Sequence, residues 1–280
     1  MKNIRYFAII FLILAYMVYR NITTSIFLIN RDKINVVFYG QNIRYYSIDP
    51  SDTDYIVSFT PAAQTLVPGG YGNYRLGSIG KLVSLESKPE IFKKTFSLAT
   101  SSFVDLYFYP TDNKIFYENS TLDNNFPSFK EIFFDKSNAN LTDRIFILLN
   151  FANKNQNSYR LINTSDYFNS DKFNSDYQGI FYKKTYRQTE DNVQIIYDSD
   201  YTTAVLLSNI MDGEGIRVVD ISQGKTNGSK CQIVAKKDKV NSATTKGLSR
   251  FFNCPVVTGE TELSDIILKL GNLEKDWSAK

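Results

Sequence analysis

Ile34-Asn35-Val36-Val37-Phe38-Tyr39, Arg44-Tyr45-Tyr46-Ser47-Ile48 and Tyr55-Ile56-Val57-Ser58-Phe59 are short runs stopped in turn by Gly40, Asp49-Pro50 and Pro61. Runs of this length, rich in β-branched and aromatic residues and bounded by Gly or Pro, read as strands. Downstream the period changes. Ile79, Leu82 and Leu85, then Ile91, Phe92, Phe96 and Leu98, recur at helical spacing, with Pro89 marking a break or a new first turn. Phe103 to Tyr109 reads as a strand, and Thr111 to Lys114 turns it back into Ile115-Phe116-Tyr117 as a hairpin. Asn140 caps a helix over residues 141–152, with Ile145, Leu148, Leu149 and Ala152 as its apolar positions. This alternation predicts an α/β (mixed α+β) class with a covered mixed sheet. Between the early strands and the first helix, residues 67–77 form a glycine-rich loop. It is either a tight surface turn or a place where backbone approaches a phosphate.

Working toward the N-terminus, Met1-Lys2-Asn3-Ile4-Arg5 precedes the uncharged run Tyr6 to Tyr19. As a helix that run covers roughly 21 Å. A bilayer core needs about 30 Å, so it borrows Ile4 before it and Ile22 and residues 25–29 after it. Three readings are open: a cleaved signal peptide, a helix buried in a soluble core, and an uncleaved signal anchor. The anchor is favoured because Arg20-Asn21-Ile22-Thr23-Thr24 offers no small-x-small cleavage site. Lys2 and Arg5 favour a cytoplasmic N-terminus, with the bulk of the chain extracytoplasmic. Arg20, Arg31 and Lys33 weaken that bias.

The chain of 280 residues has no histidine and a net charge of +3. The missing histidine excludes Ser-His-Asp and Cys-His catalysis and imidazole metal sites. The weak charge, without a basic cluster interleaved with aromatics, argues against nucleic acid as a partner. The two cysteines, Cys231 and Cys254, read as a disulfide in an extracytoplasmic protein, with a buried free pair as the alternative.

The order of strand, Ser47-Ile48-Asp49-Pro50, strand, glycine-rich loop, amphipathic helices, Phe103-Val104-Asp105-Leu106-Tyr107-Phe108 and Asn140-Leu141-Thr142-Asp143-Arg144 resembles a shortened LytR-CpsA-Psr domain over residues 34–165. The resemblance implies an envelope protein that transfers glycopolymers from a polyprenyl pyrophosphate carrier to the cell wall. It implies an apolar lipid tunnel, and charged residues that hold pyrophosphate and Mg²⁺. On that reading Arg75, Asp143 and Arg144 are the candidate ligand-binding residues. The family's Pro-Arg-Asp-Thr segment is replaced here by Pro61-Ala62-Ala63-Gln64-Thr65, and its early acidic position by Gly40-Gln41-Asn42. Without those charge-assisted contacts, the expectation is a degenerate copy with no catalytic residue and no cofactor. Mg²⁺ enters only if the transferase activity is retained.

Residues 166–191 are polar and without helical period, and read as an extended linker. Beyond it the expected elements are strand 193–197, helix 201–211, strands 216–221 and 231–235, a helix capped by Ser242, and strand 265–270. Their order is βαββαβ, the split ferredoxin-like pattern. The closing Leu263-Ser264-Asp265-Ile266-Ile267-Leu268-Lys269-Leu270-Gly271 resembles the LytR C-terminal domain, which implies envelope association. Trp277 either docks on this module or stands exposed. The expected organisation is a cytoplasmic start and anchor over 1–30, a LytR-CpsA-Psr-like domain over 31–165, a linker over 166–191 and a LytR C-terminal-like domain over 192–280. The expected function is a non-catalytic binding or adaptor protein of the cell envelope, whose partners are wall glycopolymer, a polyprenyl carrier or envelope proteins. The alternatives are a phosphotransferase or a carrier-binding protein.

Overall fold

The computed structural model describes residues 2–29, 32–50, 53–112, 114–118, 125–154, 158–225 and 230–279, with the side chains of residues 2–8 and 10 outside that set. Helices α1 (Lys2–Thr23) and α2 (Ile26–Ile29) come first. Strands β1 (Ile34–Phe38), β2 (Ile43–Ile48), β3 (Asp54–Phe59), β4 (Gln64–Val67) and β5 (Gly72–Arg75) precede helices α3 (Ile79–Glu86) and α4 (Glu90–Thr100). Next are β6 (Leu106–Tyr109), α5 (Phe129–Phe133), β7 (Lys136–Ser137), α6 (Leu141–Asn153), β8 (Tyr159–Asn163), α7 (Ser170–Tyr177) and α8 (Lys184–Thr189). The remainder runs β9 (Asn192–Tyr197), α9 (Tyr201–Glu214), β10 (Arg217–Gln223), β11 (Gln232–Ala235), α10 (Ala243–Phe252), β12 (Val256–Thr258), β13 (Ile266–Lys269) and α11 (Leu273–Asp276).

The class is mixed α/β. A six-stranded sheet has the order β7-β6-β1-β2-β3-β8, a five-stranded sheet the order β10-β9-β13-β11-β12, and β4-β5 form a hairpin. Both faces of the first sheet are covered. Because side chains alternate along a strand, Val37 and Tyr39 point to one face, where they meet Leu82, Phe92 and Phe96 of α3 and α4. Ile34, Val36 and Phe38 point to the other, against Ile132 of α5 and Ile147 and Phe151 of α6. The central strands β1 and β2 are therefore buried along their whole length, as expected of a sheet covered on both sides. The second sheet is covered on one face by α9 and α10, through Leu207, Ile210, Met211 and Leu248.

Several expectations are corrected. The hairpin at 115–117 does not form. Phe116 instead donates its N–H to Gly77 O at 3.0 Å, and a Cβ on Gly77 would meet Phe116 O at 1.9 Å. The edge of β6 pairs with β7, and Asn113 of the expected turn lies outside the described residues. Residues 166–191 are not an extended linker. They carry α7 and α8 and bury Phe173 and Phe181 in the core of the first half, where wide spacing hides them from any periodic pattern. The last module is not the split ferredoxin-like arrangement. A short extra strand, β12, makes the order βαββαββ, and α9 and α10 each connect parallel neighbours. Three residues are too few for strand alternation to show.

At the N-terminus α1 has 22 residues. Its described side chains from Phe11 to Arg20 are exposed, so this stretch is not buried in a core of this chain. Among the described residues no helix is long and apolar enough to cross a membrane. Lys2, Arg5 and Arg31, which bear on orientation, lie outside the described side chains.

Candidate functional site: a cationic cleft between the two halves

Helix α4 buries Phe92, Phe96 and Ala99 and turns its other edge, Glu90, Lys93 and Lys94, toward the second half. Lys93 donates to Phe251 O at 2.7 Å, and its ammonium lies 4.2 Å from the centre of the Phe251 ring. Lys94 donates to Asp276 O at 2.9 Å beside the Trp277 ring. Burial lowers both amines, Lys93 to about 8. Opposite them, the last turn of α10 supplies Arg250, Phe251 and Phe252, and Asn253 ends the helix in the left-handed region. Cys254, next in sequence, is joined to Cys231 by a disulfide with a Cα–Cα distance of 5.3 Å. That bond fixes Lys230 and Arg250 on one rim, and Asn272 holds the same rim by accepting from Cys231 N–H at 2.8 Å.

These groups enclose a cavity of about 650 Å³, also lined by Tyr107, Asn138, Asp276 and Trp277. Four cations (Lys93, Lys94, Lys230, Arg250) face two carboxylates (Glu90, Asp276). The floor is aromatic. Phe251 stacks on Phe103 of the first half with ring centres 3.8 Å apart, and Trp277, 3% exposed, packs against Phe251 and Phe252. Trp277 thus docks. Excess positive charge, the Asn253 amide and ring edges suit an anionic, hydroxyl-bearing ligand.

The candidate residues read from the sequence do not converge. Arg75 is exposed at the end of β5, on the α3–α4 side of the first sheet. Asp143 and Arg144 begin α6 on the opposite face. Asp143 is buried and closes a capping box with Asn140, while its Oδ1 accepts from Ser25 Oγ at 2.7 Å and Ile26 N at 2.8 Å. Arg144 donates to the carbonyls of Ile132 and Asp135 and lies over the Phe108 ring. Both act in the architecture. The glycine-rich turn does not face an open phosphate site. The N–H groups of Gly69 and Gly70 both donate to Ser278 O, at 2.8 and 3.2 Å.

A second cavity, about 370 Å³, lies at the C-terminal ends of β1 and β6 and is lined by Tyr39, Val83, Tyr109, Asp112 and Lys136. It sits at the small end of the roughly 300–1,000 Å³ typical of small-molecule pockets, and several polar groups line it. Among the described residues, no three His, Cys, Asp or Glu side chains gather so as to hold a metal ion. No protein-family model, no curated protein and no solved structure matches the chain.

The sequence hid the cleft because its walls come from residues 90–107, 138, 230–231, 250–255 and 272–277. The usable local signals were the pair Lys93-Lys94 on a helix and the lone Trp277.

Proposed function

We propose that this protein is a membrane-anchored, extracytoplasmic component of the cell envelope that binds an anionic glycopolymer in the cleft without transforming it. The observation that carries the reading is the excess of cations over carboxylates around an aromatic-floored cavity. Anchoring is argued from the uncharged run Tyr6 to Tyr19 behind Lys2 and Arg5, whose side chains from Phe11 to Tyr19 are exposed rather than packed in a core of this chain. The resemblance of residues 34–165 and 192–280 to LytR-CpsA-Psr and LytR C-terminal domains favours the envelope. The loss of the family's charged segment at Pro61-Ala62-Ala63-Gln64-Thr65, with Arg75 apart from Asp143 and Arg144, favours binding over phosphoryl transfer.

In this role Lys93, Lys94, Lys230 and Arg250 take the negative charges of the polymer, and the Asn253 amide takes a hydroxyl. The test is titration of the full chain in detergent with polyglycerol phosphate, read by Trp277 fluorescence. Affinity should fall about tenfold for Lys93→Ala and again for Arg250→Ala, as expected for loss of one charge-assisted contact each. It should also fall with added salt. Binding should weaken as pH rises through about 8, where Lys93 loses its proton. No binding at low salt, or equal binding by the double variant, overturns the reading.

A further inference from the structure

Helix α6 is apolar on both sides. Its inner face buries Ile147 and Phe151 against the first sheet. Its outer face carries Leu141, Ile145 and Leu149, four residues apart and 56%, 43% and 50% exposed. From Ile145 to Ala152 it has no charged residue. A surface helix of a water-soluble domain carries polar residues on its outer face, and α6 does not. Helix α5 and the turn that follows it, tied to α6 by the Arg144 hydrogen bonds to Ile132 O and Asp135 O, extend the patch with Phe129 and Phe134, 58% and 69% exposed. The exposed Lys130 and Lys136 stand beside them.

The position of this face is fixed relative to α1. Asn140, which caps α6, donates to Asn21 O at 2.9 Å and to Thr24 Oγ1 at 3.1 Å. Asp143 accepts from Ser25 and Ile26, and Phe27 stacks on Phe146. The apolar stripe therefore starts where α1 ends. With 13 residues, α6 reaches only about 20 Å, too short to cross a bilayer but suited to lie along its surface.

We propose that the α5–α6 face rests on the bilayer, with Phe129, Phe134, Leu141, Ile145 and Leu149 set into the lipid interface and Lys130 and Lys136 at the phosphate headgroups. The proposal rests on α1 being a membrane anchor, and its occupant is lipid because the patch is continuous with that helix and flanked by cations.

The experiment uses the full chain reconstituted into phosphatidylcholine–phosphatidylglycerol vesicles containing lipid brominated near the head of the acyl chain. Three single variants are compared with the parent, whose Trp277 supplies the baseline: Ile145→Trp on the outer face of α6, Leu263→Trp on the second half, and Tyr16→Trp in α1. Expected are blue-shifted, bromine-quenched emission from Ile145→Trp and Tyr16→Trp, and unquenched emission from Leu263→Trp. Quenching of Tyr16→Trp without quenching of Ile145→Trp overturns the proposal and leaves the anchor standing. Absence of quenching in both removes the anchor and the proposal with it. A blue shift in Ile145→Trp without quenching, together with cross-linking of α6 between chains, assigns the face to a second copy and also overturns the proposal.

Discussion

Lys183 is the residue on which the two halves meet. It is 2% exposed, and its ammonium lies 2.9 and 3.0 Å from the Asp105 carboxylate and 3.0 Å from Glu214 Oε1. Asp105 precedes β6, Lys183 precedes α8, and Glu214 ends α9. Burial works against the Lys183 charge, but the two carboxylates outweigh it and hold the amine well above the ordinary lysine value. Removing one partner from a buried ion cluster leaves an uncompensated charge, so Lys183→Met should destabilise the fold by about 3–5 kcal/mol, measured by urea denaturation. Burial, partly offset by Lys183, lifts the Glu214 carboxyl to about 7 from the ordinary glutamate value of 4.5. The folded chain thus binds a proton that the unfolded chain has released between those two values. The stability contributed here is present at the acid end of the window and is lost as pH rises through about 7. Thermal unfolding across pH 4.5–7 should show wild type losing stability relative to Glu214→Gln as pH rises; parallel curves would refute the assignment.

Among the elements, those with a local signature were legible in the sequence. β1, β2 and β3 announce themselves by run length and stops. Asn140 and Asp143 form the cap of α6 that the sequence pointed to, although Asp143 entered as a candidate ligand and serves instead to hold α1 and α2 on α6. What the sequence could not give is which element covers which. Residues 166–191 bury Phe173, Phe181, Lys183 and Tyr186 at irregular intervals, and no period marks such a segment as core. Arg75, Asp143 and Arg144 were grouped by resemblance to a motif, whereas the cleft gathers side chains from both halves. Replacing Cys231 and Cys254 together by Ala opens a link between residues 23 apart, and should cost about 2–4 kcal/mol. It should also lower affinity for polyglycerol phosphate, because Lys230 and Arg250 lose their common brace. At Gly213 in α9, a Cβ would meet Ser101 O at 2.0 Å, a backbone atom that cannot swing aside. Gly213→Ala should therefore destabilise by about 1–3 kcal/mol, whereas an Ala in an exposed helix would stabilise.

At the scale of the whole molecule, the two sheets do not define two independent bodies. The core of the second half includes Leu98, Phe103 and Tyr186 from the first, and α4 packs directly on α9. Calorimetry on the full chain should show one cooperative transition, with Lys183→Met lowering its midpoint without splitting it. Two resolved transitions would show that the halves unfold separately.

The clasp of Gly69 and Gly70 on Ser278 O has a mechanical consequence. On the function proposed above, α1 is held in a membrane and the cleft grips a wall polymer, so the protein is stretched whenever the envelope flexes. The pull enters at α1 in the first half and reaches the polymer through residues of both halves, so part of it crosses between them. Along the chain the halves join once, near residue 191, but in space the Ser278 clasp, the Lys93 bond to Phe251 O and the Lys183 cluster tie them at separate points. Loaded together, these ties share the force, and the halves must part at several points at once. In a single-molecule stretching trace, a chain ending at Trp277, which lacks the Ser278 carbonyl that accepts from Gly69 and Gly70, should separate at lower force than the parent.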